Sequence, residues 1–219
     1  MAILSNLKPR PGESLGGDPG RLAGQLGSAG DLAVLGPGLA RSCAHRITDL
    51  ASLRRFLLDY VNVALVPGEL PAIDRAYRHA QRYEVRELIR LDQGLRAGGC
   101  PPELAEASGR VGWSQLRRLR PLRDQRLVQR YLHAVEAGEA HGWHTVVFGL
   151  VLSLYSLPLR QGLLGYGAQT IRGFVYGAAA RLPLTQGQCV QVEEEAGAGL
   201  PGAVHALLAP PGGAPWHPI

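Results

Sequence analysis

Residues 48–64 read TDLASLRRFLLDYVNVA, and the recurrence of their apolar side chains decides the fold class. Leu50, Leu53, Leu57, Tyr60 or Val61, and Ala64 return every three or four positions, the spacing that lines one face of an α-helix. Arg54, Arg55, Asp59 and Asn62 fall largely on the other face. Thr48 or Asp49 supplies a side-chain oxygen for the first free N–H groups, and Pro67-Gly68 is expected to end the helix.

The same period continues outward. Ile73, Ala76, Tyr77 and Ala80 mark a helix opening near Leu70-Pro71, with Asp74 and Arg78 paired one turn apart. Val85 to Leu95 repeats the pattern until Gly98-Gly99, and Pro101-Pro102 opens a helix carrying Leu104, Ala107, Val111 and Leu116 inward. Further helices are expected over Asp124–Glu139, His144–Leu157, Leu159–Leu182 and Thr185–Glu195. The Leu159–Leu182 stretch carries Gly165, Gly167, Gly173 and Gly177 among alanines, which suits a central helix that neighbours approach closely. No segment alternates like a hairpin strand. The reading is all-α: a single-domain bundle of roughly eight to ten helices. Residues 1–20 and 196–219, rich in proline and glycine, are expected to be flexible, and 21–195 to form the helical domain. Residues 21–46 hold five interior glycines within a helical apolar spacing and leave their helicity open.

Bulk properties narrow the class. A chain of 219 residues buries one sizeable core without needing two domains. The net charge of +5 is almost all arginine, since Lys8 is the sole lysine. Arginine suits carboxylate or phosphate partners, and equally a solvated surface under a coding bias. Cys43, Cys100 and Cys189 form no CxxC pair, and no secretory pattern opens the sequence. The apolar run Val146–Leu159 is too short to span a bilayer. A cytoplasmic setting is expected.

Signatures of catalysis are missing. Lys8 lies in no phosphate loop, and there is no nucleophile elbow or HExxH motif. A GxGxxG at Gly197, Gly199 and Gly202 follows no strand and encloses Pro201. His141 and His144 stand three apart, as metal ligands on a helix do, but no third ligand follows by spacing; a turn residue followed by a helix-start residue accounts for both. Glu193–Glu195 reads as a solvated helix end. Arg110, Arg117, Arg118, Arg120, Arg123, Arg126 and Arg130 form the densest charge feature. It fits a solvated corner, a dock for an acidic protein, or a nucleic-acid surface, although Trp113 is the one aromatic interleaved with it.

Several motifs taken together resemble the UreF family of urease accessory proteins. They are LPAIDRAYRHA at 70–80, Leu88 with Leu91-Asp92, PPELAEASGRVG at 101–112, and HTVVFGL at 144–150. GLLGY ending at Tyr166, Arg172-Gly173, and Arg181-Leu182 with Gln191 ten residues on continue the series. The resemblance covers about residues 48–192. The family's opening motif, P-x-G-x-F-x-x-S-x-G-L-E, is reduced here to Gly38-Leu39, with Ala40 in place of the glutamate. The family's basic residue near a Pro-Leu pair aligns with Ala180 from Pro183-Leu184, or with Arg181 from Gln191; Arg181 keeps the charge.

The resemblance implies a non-catalytic adaptor with no cofactor, no metal ligands and no catalytic residues. It implies binding to a UreD/UreH-type protein and a UreG-type GTPase, acting on apo-urease through that complex to assist nickel insertion, with a homodimer also in view. Arg181, Tyr166, Arg172 and His144 become the candidate partner-facing or pathway-lining residues. Tyr77, Ser108 and Gly112 read better as packing positions. The alternative is an Arg-rich helical nucleic-acid-binding protein or a drifted partner-binding relative; neither reading needs a membrane.

Overall fold

A computed structural model describes residues 47–97 and 102–209. The expectations for 1–46, including Gly38-Leu39 and Cys43, and those for Gly98-Gly99, Cys100 and 210–219 lie outside the described residues, as do the side chains of Leu104 and Ala107. Among the described residues every regular element is helical. In chain order these are α1 (Leu50–Asp59), a π-helical segment (Tyr60–Glu69), α2 (Leu70–Gln81), α3 (Val85–Ala97), α4 (Pro102–Arg118), α5 (Arg126–Glu136), α6 (His144–Leu154), α7 (Leu159–Ala179), α8 (Gln186–Gly197) and α9 (Leu200–Leu208).

Local chemistry sets the helix starts. Asp49 caps α1 by accepting from the Ser52 N–H, and the Ser52 hydroxyl oxygen in turn accepts from the Asp49 N–H. Thr185 and Gln188 make the same reciprocal cap for α8. The expected Asp74–Arg78 pair forms at 2.9 Å.

The first correction concerns Pro67-Gly68, which does not end the first helix. The chain runs unbroken from Leu50 to Gln81, 32 residues, by widening into a π register around Pro67. Proline lacks an N–H and clashes with the carbonyl four residues back in an α-helix. The i→i+5 register gives the proline ring more room beside that carbonyl, and the Leu70 N–H bonds to the Leu65 carbonyl. The second correction lies at the other end. The last helix does not stop at Glu195: α8 reaches Gly197, passes through Ala198 and Gly199 in right-handed helical geometry, and enters α9, whose Leu200 and Val204 are buried. Counted as continuous rods, the described residues therefore hold seven helices rather than eight to ten.

By length and composition alone, Leu50–Gln81 is the one described helix apolar enough to cross a membrane. In the fold its inward face is core: Leu53, Phe56, Leu57, Tyr60, Leu65 and Ile73 are fully buried. Phe56 and Tyr60 stand edge-on to Phe174 of α7, at 5.3 and 4.8 Å. α7 occupies the middle, touching α1, α2, α6, α8 and α9. α6 and α2 also approach closely. A Cβ on Gly149 would stand 2.6 Å from the Ile73 carbonyl oxygen and 2.8 Å from the Ala76 Cβ, so the two backbones nearly touch there.

Candidate functional site

Two buried polar networks meet at the start of α6. The first centres on Asp92 of α3, which is fully buried. Its carboxylate accepts the Tyr131 hydroxyl at 2.7 Å and the N–H groups of Gly142 and Trp143, each at 3.1 Å, as well as the N–H of His141. The Trp143 indole N–H donates to the Asp92 carbonyl at 3.0 Å. The turn 141–143 is thus wrapped around one carboxylate. Trp143 offers no side-chain cap to α6, and Asp92 places negative charge where the helix N-terminus favours it.

The second network begins one residue later. His144 is nearly buried, with Nδ1 2.7 Å from the Ser108 Oγ of α4 and Nε2 2.5 Å from the Tyr166 hydroxyl of α7. The Tyr166 hydroxyl donates to Glu69 Oε2 at 2.8 Å, and the Tyr60 hydroxyl donates to the same oxygen at 2.7 Å. Tyr166 has one hydroxyl hydrogen and gives it to Glu69, so it accepts from the His144 Nε2–H. Nδ1 is then the acceptor for Ser108. The chain of donors runs one way, from Ser108 through His144 and Tyr166 to Glu69, and ties α4, α6, α7 and the π segment together.

Glu69 joins this network because of the π register. Tyr60 and Glu69 are the first and last residues of the π segment. Nine residues of α-helix make about two and a half turns and would put them on opposite faces. In the wider register they are roughly two turns apart and share a face.

Burial sets the protonation of the network. It lowers His144 from its ordinary 6.5 to about 3 and raises Glu69 above its usual carboxylate range, against the pull of its two tyrosine hydrogen bonds. Burial likewise raises the hydroxyls of Tyr166 and Tyr60, with Glu69 adding to the effect. For His144 the unfolded chain binds a proton between pH 6.5 and 3 that the folded chain refuses. Its contribution to stability is therefore complete above 6.5 and falls away as pH drops towards 3. Glu69 acts with the opposite sign: its raised value makes stability fall as pH rises above 4.5. Replacing His144 with Gln keeps one acceptor for Ser108 and one donor for Tyr166 but removes the titration. The stability difference between wild type and His144→Gln, read from urea unfolding, should shrink by up to about 1.4 kcal/mol per pH unit on acidification below roughly 6.5. Parallel curves for the two proteins would refute the assignment.

The Ser108–His144 contact resembles a nucleophile and its base, but Ser108 is 1% exposed and lies inside a helix pair. Its hydroxyl holds α4 to α6. His141 and His144 do not share a helix face: His141 lies in the turn, its ring 4.4 Å from that of Trp143, while both ring nitrogens of His144 are engaged by Ser108 and Tyr166. Among the described residues no three His, Cys, Asp or Glu side chains converge into a metal-holding group.

The four candidate residues occupy three kinds of position. His144 and Tyr166 lie inside the bundle and are bonded to each other, so they present no surface of their own. Arg172 is part-buried and pairs with Glu193 at 3.3 Å, fastening α7 to α8. Arg181 is exposed in the turn after α7, with no side-chain hydrogen bond or ion pair among the described residues. Glu69 escaped the sequence reading because it follows the Pro-Gly pair that reads as a stop. Asp92 was visible only as half of Leu91-Asp92.

A family model described as UreF matches residues 47–195. The urease accessory protein UreF of Sporosarcina pasteurii is 25% identical over 145 residues, covering 66% of this chain and 72% of that protein. The protein of the same name from Ureaplasma urealyticum serovar 10 is 24% identical over 140 residues, 64% of this chain and 60% of the relative. That from Ureaplasma parvum serovar 3 is 23% identical over a stretch of the same length. The chain thus spans 60% of the length of the Ureaplasma relatives it matches. Since the family match runs from two residues before the α1 cap to the end of the α8 glutamates and takes in both buried networks, the chain belongs to the UreF family.

Proposed function

We propose that this chain is a non-catalytic adaptor of urease maturation. By this reading it binds a UreD/UreH-type protein and a UreG-type GTPase in the cytoplasm, and the assembly assists nickel insertion into apo-urease. The observation that carries the reading is the family match across 47–195, shared with relatives that are named urease accessory proteins.

The chemistry of the bundle agrees with such a role. Its most reactive-looking groups, Ser108, His144 and Glu69, are spent on holding four elements in register. Their surface counterpart is Arg181, whose guanidinium projects from a turn anchored by the Arg181 and Leu182 N–H groups on the Ala178 carbonyl. A planar fork at a fixed helix end suits bidentate pairing with a partner carboxylate.

Co-purification of the tagged chain with the UreD/UreH-type and UreG-type proteins of the same genome tests the proposal. A complex should form with the wild type and weaken on Arg181→Ala by roughly tenfold or more, the loss typical of a hot-spot arginine. Arg160→Ala, at the exposed start of α7, should leave it intact. Failure of well-folded proteins to associate would refute the adaptor reading.

A further inference from the structure

We infer that the corner between α4 and α5 is a docking surface for an acidic segment of a partner protein, separate from the Arg181 turn. Residues 106–136 hold seven arginines against Glu106, Asp124 and Glu136, a surplus of four charges in a chain whose net charge is +5. Every one of these arginines is exposed. Arg110 is paired with Glu106 and Arg120 with Glu136. The side chains of Arg117, Arg123, Arg126 and Arg130 have no carboxylate or hydrogen-bond partner among the described residues.

The corner is held rigid beneath its charges. Leu116, Leu119, Leu127 and Val128 are buried and fix both helix ends. The Gln129 side-chain amide donates to the Arg120 and Leu122 carbonyls, at 3.2 and 3.0 Å, which pins the turn from below. Short backbone bonds close the rest, Arg120 to Arg117, Leu122 to Leu119 and Gln125 to Leu122. A preorganised array of like charges repels itself, and it gains most from a partner that supplies the missing carboxylates.

Charge and shape favour a polypeptide over nucleic acid as the occupant. Single-stranded nucleic acid needs stacking platforms beside its phosphates. Here Tyr131 is buried against Asp92 and Trp113 is half-buried. The exposed carboxylate of Asp124 sits between Arg123 and Arg126, which a continuous phosphate backbone would meet as repulsion. Discrete carboxylates can choose arginines on either side of it. The chain's own remaining segments do not fit: residues 1–46 carry only Glu13, Asp18 and Asp31, and 210–219 carry no acidic side chain. Its one acidic run is engaged elsewhere, Glu193 with Arg172 and Glu195 with Arg54.

Fluorescence anisotropy with a labelled deca-glutamate peptide, and with a labelled single-stranded RNA decamer, tests the inference. The peptide should bind at about 50 mM salt and weaken steeply by about 150 mM, as screening requires. Replacing Arg117, Arg123, Arg126 and Arg130 together with Gln should weaken peptide binding by about tenfold or more. Replacing Arg55, Arg75, Arg86 and Arg160 with Gln removes the same charge elsewhere and should change it by less than about twofold. Equal losses in both variants would mean net charge rather than a site. RNA bound more tightly than the peptide at the higher salt, and lost in the corner variant alone, would assign the corner to nucleic acid. Either result, or no binding of the peptide at all, overturns the inference. Circular dichroism melts of both variants establish that each is folded.

Discussion

Asp92→Ala is expected to destabilise the fold by about 3–5 kcal/mol, the cost of breaking a buried charged hub by removing one side of it. Four donors converge on this one carboxylate: the Tyr131 hydroxyl and the three successive N–H groups of 141–143. Water cannot replace it, because Asp92 is fully buried and Gly142, Trp143 and His144 are buried with it. Asp92→Asn should lose nearly as much, since its amide turns a donor towards donors. Tyr131→Phe deletes a single hydrogen bond and should cost about 1–2 kcal/mol. Guanidinium unfolding followed by tryptophan fluorescence measures all three. A loss below about 1 kcal/mol for Asp92→Ala would show that the turn holds itself.

How far this hub could be read from the sequence depends on the kind of information each residue carries. Helical period fixed the faces of α1, α2 and α5 well, because Leu53, Leu57, Ile73, Ala76, Leu127 and Tyr131 recur at the spacing that the core imposes. Period says nothing about where a lone polar residue on the inward face finds its partners. Asp92 lies 39 residues from Tyr131 and 50 from Gly142, and Ser108 lies 36 from His144. Those pairings exist only once three helices have packed.

Glu69 failed to show for a different reason. An α period with Pro67-Gly68 as a stop places Tyr60 and Glu69 in separate elements. The chain instead changes its register and continues, and the clasp from Tyr60 to Glu69 spans the altered stretch from end to end. Three glutamates at 193–195 misled in a similar way. They read as a helix end facing water, yet Arg54 and Arg172 neutralise two of them and the helix goes on to α9. The family motifs single out His144 and Tyr166 but do not say that they face each other inside the bundle. Buried and bonded to each other, they hold together the helices that carry the surface.

Gly112→Ala should be severely damaging for the addition of one carbon, with a loss of about 3 kcal/mol or more. A Cβ at this position of α4 would lie 1.9 Å from the Gly142 carbonyl oxygen and 2.8 Å from the His144 nitrogen. Both are backbone atoms, so no side chain can swing aside. Nor can the turn retreat: its N–H groups are held by Asp92, and Gly142 sits at φ +77°, where few residues can follow a shift. The strain must push α4 outward. Ser108 lies one turn earlier on α4, so its bonds to His144 Nδ1 and N should lengthen together. Gly94→Ala is the matched control, since a Cβ there meets nothing within 4 Å. In an exposed position of α3 it should gain up to about 1 kcal/mol from helix propensity. Thermal melts of the two variants should therefore move in opposite directions from wild type. If Gly112→Ala melted within about 1 °C of wild type, the Gly142 carbonyl would have to be free to move, and Asp92 could not be what fixes the start of α6.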